Sequence, residues 1–263
     1  EGKIQKKHID FKYGYNHTNL PIYYLVKRAI YFYKTNNINY HELGFLNLYW
    51  DALFKNKKKI DYFLPLLDVS NTIDSEPFYA SLATAMYATK ISKLENSIVA
   101  IDKMPTWISI PNNISFYEQV CYIMENIYSF QNNKCNYQKA LQLIIHTLKE
   151  TFVTNHFVQN MKLLFLTSSS HVISEKEVES LFIDNGFSTY SKLIYWNFSQ
   201  EEILNLPCEI HSEHSFLFSG YSLAPFYQLY SQSLNNNSTF SFVRKVLNNE
   251  RYHSLTEFLL ESF

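Results

Sequence analysis

The chain has 263 residues, of which 46% are hydrophobic and 18% are charged, a composition that fills a core and excludes an intrinsically disordered protein. The formal net charge is −1, which argues against a globally basic nucleic-acid binder. No apolar run approaches the ~18 residues that a transmembrane helix needs, so no membrane partner is expected. The length allows one large domain, or one domain with a smaller one beside it.

The cysteines Cys121, Cys135 and Cys208 are widely spaced and form no Cys-x-x-Cys pair. A disulfide scaffold and a structural zinc site are therefore not expected. Reduced thiols are typical of the cytoplasm, so we predict a cytoplasmic protein, or one of the virion or host cytoplasm if it is viral.

Two local patterns are more simply interpreted as solvated loops than as sites. The lysine-rich runs 3–7 and 55–59 are typical of exposed connectors, with phosphate binding as the alternative. Between two predicted strands lies a group of candidate zinc ligands, Glu209, His211, Glu213 and His214. An exposed loop is the favoured interpretation of this group as well.

The first elements in chain order are two predicted helices. Leu20–Tyr33 carries Pro21 in its first turn, and apolar residues recur at helical spacing through Tyr40–Phe54. We predict that residues 1–58 form a helical N-terminal segment, which could be the end of a larger region, and that residues 59–263 form the main domain.

Beyond residue 58, strands and helices alternate. Apolar runs predict five buried strands, at 62–67, 97–101, 162–167, 192–197 and 216–219. Helical patterns follow at 76–92, 115–128, 137–152, 174–182 and 223–263, and residues 102–107 are predicted to break the strand at 97–101. This alternation predicts an α/β fold of three layers, a Rossmann-like sandwich with a mostly parallel central sheet and helices on both faces.

The first predicted strand ends in a polar stretch, Asp68-Val69-Ser70-Asn71-Thr72. In open α/β sheets, ligands bind at the carboxyl ends of the strands. One carboxylate and two hydroxyls on a short loop suit a hard cation such as Mg²⁺ or Mn²⁺. Asp68, Ser70 and Thr72 are therefore the candidate metal ligands.

This stretch resembles Asp-x-Ser-x-Ser/Thr, the metal-ion-dependent adhesion site motif of von Willebrand factor A (vWA) domains. Further segments that fit the resemblance follow in the expected order, at 49–51, 77–79, 135–140, 162–172, 195–198 and 219–222. Together they resemble the vWA-type proteins of plants, fungi and giant viruses, which are related to TROVE proteins such as the Ro autoantigen. The resemblance covers roughly residues 45–255 and implies a vWA-like fold.

The chain departs from that family at two loops. Cys135 and Asn136 stand where the family's second loop supplies a Thr, and Ser169 stands where its third loop supplies an Asp. One carboxylate is left instead of two, so the resemblance implies a degenerate site that binds metal weakly or not at all. A working metal site is the alternative. Cys135, Asn136 and Ser169 are the secondary site residues.

The sequence contains no Gly-x-Ser-x-Gly elbow and no Gly-rich phosphate loop, so an enzyme is not expected. The resemblance implies a non-catalytic binding or scaffold protein that acts through protein–protein interaction with an unidentified protein partner. Two alternatives stay open: an RNA-associated component of a ribonucleoprotein, by analogy with TROVE proteins, and a viral structural or assembly protein.

Overall fold

The computed structural model describes residues 20–55, 57–69, 74–94, 96–127, 135–169, 172–199, 207, 212, 214–223 and 225–226. The chain divides into two compact units, Glu1–Tyr221 and Ser222–Phe263. All elements named below belong to the first unit. The predicted helical region 223–263 lies almost entirely outside the described residues, and the predicted boundary at residue 58 stays a prediction.

Six strands form one sheet: β1 Tyr62–Asp68, β2 Ser97–Ile101, β3 Thr106–Ser109, β4 Met161–Thr167, β5 Lys192–Asn197 and β6 Ser215–Ser219. Their order across the sheet is β3-β2-β1-β4-β5-β6. All neighbouring strands are parallel except β2 and β3, which are antiparallel. The predicted mostly parallel sheet is confirmed, and its strand order is that of a doubly wound Rossmann-like fold.

Helices cover both faces of this sheet: α1 Ile22–Thr35, α2 Tyr40–Phe54, α3 Glu76–Ile91, α4 Phe116–Ile127, α5 Tyr137–Glu150, α6 Asn155–Asn160 and α7 Glu175–Asp184. On one face, α5 and α7 pack against alternate residues of the strands, such as Leu64, Leu66 and Phe165. On the other face, α3 packs against β1, β2 and β4, and α1 packs against α3. The predicted three-layer sandwich is therefore confirmed. None of the helices described here is long and apolar enough to cross a membrane.

The predicted break after the strand at 97–101 is confirmed, since β2 ends at Ile101, but the strand β3 beside it was not predicted. This strand has four residues, lies at the edge of the sheet and buries only Ile108. A short edge strand needs no continuous apolar run, so it lacks the pattern that revealed the other five. The short helix α6 was also not predicted, since six residues are too few to show a helical period.

Local sequence signals account for most of the helix ends. The predicted capping box is present at α7, where Ser174 Oγ accepts from the backbone N–H of Glu177 and the Glu177 carboxylate accepts from the backbone N–H of Ser174. Gly186 follows that helix with φ +91°, a left-handed conformation that favours glycine. Asn39 caps α2 by accepting from the backbone N–H groups of His41 and Glu42.

Candidate functional site

The strand order places the candidate site between β1 and β4. In chain order the sheet grows outward from β1 in one direction and from β4 in the other, so their carboxyl ends form the topological switch point where open α/β sheets bind ligands. Leu67 of β1 pairs with Leu166 of β4. The next residues, Asp68 and Thr167, are the last of their strands and end side by side.

Asp68 is only 4% exposed, and both of its carboxylate oxygens accept hydrogen bonds. Oδ2 accepts from the hydroxyl of Thr167 at 2.7 Å and from the hydroxyl of Tyr137 at 2.9 Å, while Oδ1 accepts from the thiol of Cys135 at 2.7 Å. A buried carboxylate is costly unless donors compensate for the lost water. These donors let Asp68 join β1 to β4 and to the start of α5.

Tyr137, the first residue of α5, takes part in this network as a neutral phenol. Its burial raises its pKa well above the ordinary value of 10, and the nearby charge of Asp68 raises it further. The hydroxyl therefore keeps its proton at physiological pH and donates it to the carboxylate. It also lies 3.2 Å from Oγ1 of Thr167, so the two hydroxyls share one carboxylate oxygen.

Hydrogen bonds that involve backbone groups hold the two neighbouring loops in place. The thiol of Cys135 lies 2.9 Å from the carbonyl oxygen of Ile101, and the N–H of Asn136 donates to the carbonyl of Asp102 at 3.1 Å. On the other side of Asp68, the N–H of Ser169 donates to Oγ1 of Thr167 at 2.9 Å. The loops before α5 and after β4 thus meet at the end of β1.

The structure brings Asp68, Cys135 and Ser169 together at this edge, with Ser169 linked through its backbone. Asn136 is adjacent, but its side chain caps α5 by accepting from the N–H of Lys139 at 2.9 Å. Ser70 and Thr72 lie outside the described residues, as do three of the four candidate zinc ligands, Glu209, His211 and Glu213.

Sequence reasoning missed Thr167 and Tyr137. Thr167 was predicted as a strand residue, and it is the last residue of β4, the strand beside β1. If β1 and β4 are assumed to end at the same level in the sheet, Thr167 lies next to Asp68. Tyr137 directly follows the helix-capping Asn136, so its side chain projects from the first turn of α5 and reaches Asp68. Tyrosine is not a type that metal-ligand patterns search for, and Thr167 was assigned to the buried strand, which is why both residues were overlooked.

The described residues alone do not fit a hard divalent cation. Such cations take oxygen ligands and favour carboxylates, but the carboxylate of Asp68 already accepts from three protein donors, and the loop before α5 contributes sulfur. Within the described ranges, no group of three or more His, Cys, Asp or Glu side chains could hold a metal ion.

The exposed part of this edge lies around the turn between β2 and β3. Met104 is 62% exposed, and Nζ of the exposed Lys139 lies 3.9 Å from its sulfur atom. Nearby, Asp102 is buried; one of its carboxylate oxygens accepts from the N–H of Lys103 at 2.5 Å. We call Met104, Lys139, Ser168 and Ser169 the carboxyl-edge surface.

By strand order and layering, the fold is a Rossmann-like three-layer α/β sandwich. Among solved structures, the chain is similar to the vWA domain of SpRpn10, with 15% sequence identity and a TM-score of 0.39. The similarity covers 68% of this chain and 95% of that domain. No family model matches the sequence, and no curated protein matches it.

Proposed function

We propose that this chain is a non-catalytic binding protein, and that its carboxyl-edge surface contacts a protein partner without the help of a divalent metal. The observation that carries the proposal is the bonding of Asp68, whose two carboxylate oxygens accept from Thr167, Tyr137 and Cys135. In a vWA-type metal site this carboxylate serves the cation. Here it serves to hold three segments of the chain together.

Energetics favour the internal bonds over a cation. A metal ion at Asp68 would have to displace at least one of the three donors or share an oxygen with it. Each hydrogen bond to a charged group contributes about 1.5–3 kcal/mol, and Ser169 offers no second carboxylate to offset the loss. Mg²⁺ and Mn²⁺ are therefore expected to bind weakly or not at all, which makes the site degenerate.

The same burial argues against catalysis by this network. Asp68 and Thr167 are almost fully buried, and Tyr137 is buried beside them. Groups that a substrate cannot reach, and whose protons are already shared among themselves, act as structural ties. What the edge offers to the outside is a binding surface.

That surface has features that protein interfaces use. Met104 is flexible and polarizable, so it adapts to the shape of a partner, and Lys139 adds a charge at its side. An apolar contact bordered by polar groups is the usual arrangement of such interfaces. The surface also lies at the switch point, where α/β folds most often bind.

An interaction screen tests the proposal: the wild-type protein is the bait, and protein fragments from the source organism are the candidate partners. The double variant Met104→Glu/Lys139→Glu disrupts the carboxyl-edge surface. Its matched control is Phe152→Glu/Lys149→Glu, which alters one exposed apolar residue and one exposed lysine at the far end of α5. For partners found with wild type, we expect at least about tenfold weaker binding by the first variant and unchanged binding by the control, with or without EDTA. Partners that leave when EDTA is added, or that bind both variants equally, contradict the proposal.

A further inference from the structure

The edge of the sheet opposite the candidate site carries a concentration of lysines from two segments. The N–H of Ile60 donates to the carbonyl of Ile91 at 2.9 Å, and the N–H of Lys93 donates to the carbonyl of Asp61. These bonds place the connector before β1 beside the end of α3. We call the six residues gathered there the amino-edge lysines: Lys55, Lys57, Lys58, Lys59, Lys90 and Lys93.

Most of these lysines lack a carboxylate partner. In the part of the chain that the structure describes, no ion pair involves Lys55, Lys58, Lys59, Lys90 or Lys93. The nearby carboxylate of Asp61 is paired with Lys162 instead.

The basic residues of α1, by contrast, are paired. On α1, Lys27, Arg28 and Lys34 pair with Glu76, Glu42 and Asp74 respectively. Since the whole chain carries a formal charge of −1, the five amino-edge lysines without an ion pair are a local excess of positive charge on a nearly neutral protein.

The lysines of the two segments are close enough to repel one another. Burial lowers the pKa of Lys90 below its ordinary value of 10.5, and the charge of Lys59 lowers it further, while Asp51 opposes the shift. Lys59 of the connector and Lys90 of α3 therefore lie within electrostatic reach of each other. An anion bound at this edge would relieve that repulsion.

We propose that the amino-edge lysines bind the phosphodiester backbone of a nucleic acid. Lysine ammonium groups are compact point charges that accept phosphates without a fixed geometry, and they gain affinity by releasing counterions from the polyanion. Several charges spread over two segments fit a chain of phosphates better than a single phosphate group.

An anionic membrane fits this surface less well, because stable attachment needs apolar side chains that insert between lipids. The large apolar residues that the described part of the chain exposes all fall outside the two lysine segments: Tyr31, Tyr40, Leu48, Met104, Phe152 and Ile183. A soluble polyanion is the better match.

This inference does not depend on the function proposed above. The lysines lie at the start of β1, whereas Asp68 is its last residue, and a strand of seven residues spans about 20 Å. A nucleic acid at the amino edge would leave the carboxyl-edge surface open to a protein partner.

Fluorescence anisotropy with labelled single-stranded RNA and DNA of one mixed sequence, over a range of salt concentrations, tests the inference. The variant Lys55→Gln/Lys58→Gln/Lys59→Gln removes three amino-edge charges, and Lys139→Gln/Lys149→Gln/Lys176→Gln removes three exposed charges elsewhere. We expect wild type to bind with a steep salt dependence, and the first variant to lose about tenfold or more in affinity and about 2 in the slope of log K against log salt. The control variant should stay within about twofold of wild type.

Binding to either the RNA or the DNA oligonucleotide supports the proposal, and the relative affinities identify which nucleic acid is the ligand. Equal losses in the two triple variants would overturn it, as would no binding by wild type at low salt. Sedimentation with vesicles that contain phosphatidylserine tests whether the same lysines bind an anionic membrane instead. If wild type sediments with these vesicles but binds neither oligonucleotide, the surface is a lipid site and the proposal is wrong.

Discussion

The hydroxyl of Tyr137 lies 2.9 Å from Oδ2 of Asp68, although the two residues are 69 positions apart in the chain. The bond joins the end of the central strand β1 to the first turn of α5. It gives a buried carboxylate a neutral donor at the end of the central strand, where the sequence predicts a metal ligand.

Replacing Tyr137 with Phe keeps the ring and removes this donor. Because the acceptor is a buried charged group, we expect the free energy of unfolding to fall by about 1–3 kcal/mol. Urea denaturation measures the change. Tyr40→Phe is the control, since Tyr40 is 78% exposed and should change stability by less than about 0.5 kcal/mol. Equal effects of the two substitutions would show that the Tyr137 hydroxyl does not stabilise Asp68.

The thiol of Cys135 can be tested by two substitutions of similar size. Serine keeps a donor for Asp68 and the carbonyl of Ile101, whereas valine removes it and leaves both acceptors without that bond. We expect Cys135→Val to lower the free energy of unfolding by about 1–3 kcal/mol more than Cys135→Ser does. If the Cys135→Val variant is as stable as the Cys135→Ser variant, the side chain of residue 135 acts by packing and not as a hydrogen-bond donor.

The capping box of α7 predicts a pH dependence. Hydrogen bonds from the side chain and backbone of Ser174 lower the pKa of Glu177 below its ordinary value of 4.5. A carboxylate with a lowered pKa stabilises the fold above its unfolded-state pKa, and this contribution is lost as the pH falls through its folded-state value.

Ser174→Ala should therefore cost about 1 kcal/mol at neutral pH, and the difference from wild type should shrink as the pH falls below about 4.5. Thermal unfolding over a pH series measures this. Ser188→Ala, at an exposed position beyond the end of this helix, serves as the control. A difference between wild type and Ser174→Ala that stays constant down to low pH would contradict the role of the Glu177 carboxylate in the cap.

Much of the fold could be predicted because its strands are buried on both faces. The run before Asp68 is apolar throughout, so the central strand and the residue at its end follow from the pattern alone. The same holds for β2, β4 and β5. The strand β3 has no such pattern, because its position beside β2 at the edge of the sheet requires little apolar surface.

The composition of the site was less predictable than its location. The end of the central strand predicted Asp68, and the family resemblance implied Cys135 and Ser169, but which atoms meet depends on register and on the first turn of α5. The pairing of Leu67 with Leu166 sets Thr167 beside Asp68, and no sequence pattern specifies that pairing. The use of the Asn136 side chain as a helix cap likewise depends on where α5 begins.

The central claim is that protein donors, and not a divalent cation, satisfy the carboxylate of Asp68. Isothermal titration calorimetry of Mg²⁺ and Mn²⁺ into wild type and Asp68→Asn, paired with thermal unfolding of both proteins, tests it most directly. We predict no site-specific heat from either protein, no rise in the Tm of wild type with metal, and a lower Tm for Asp68→Asn with or without metal. Saturable heat and a metal-dependent rise in Tm that are present in wild type and absent from Asp68→Asn would contradict the claim.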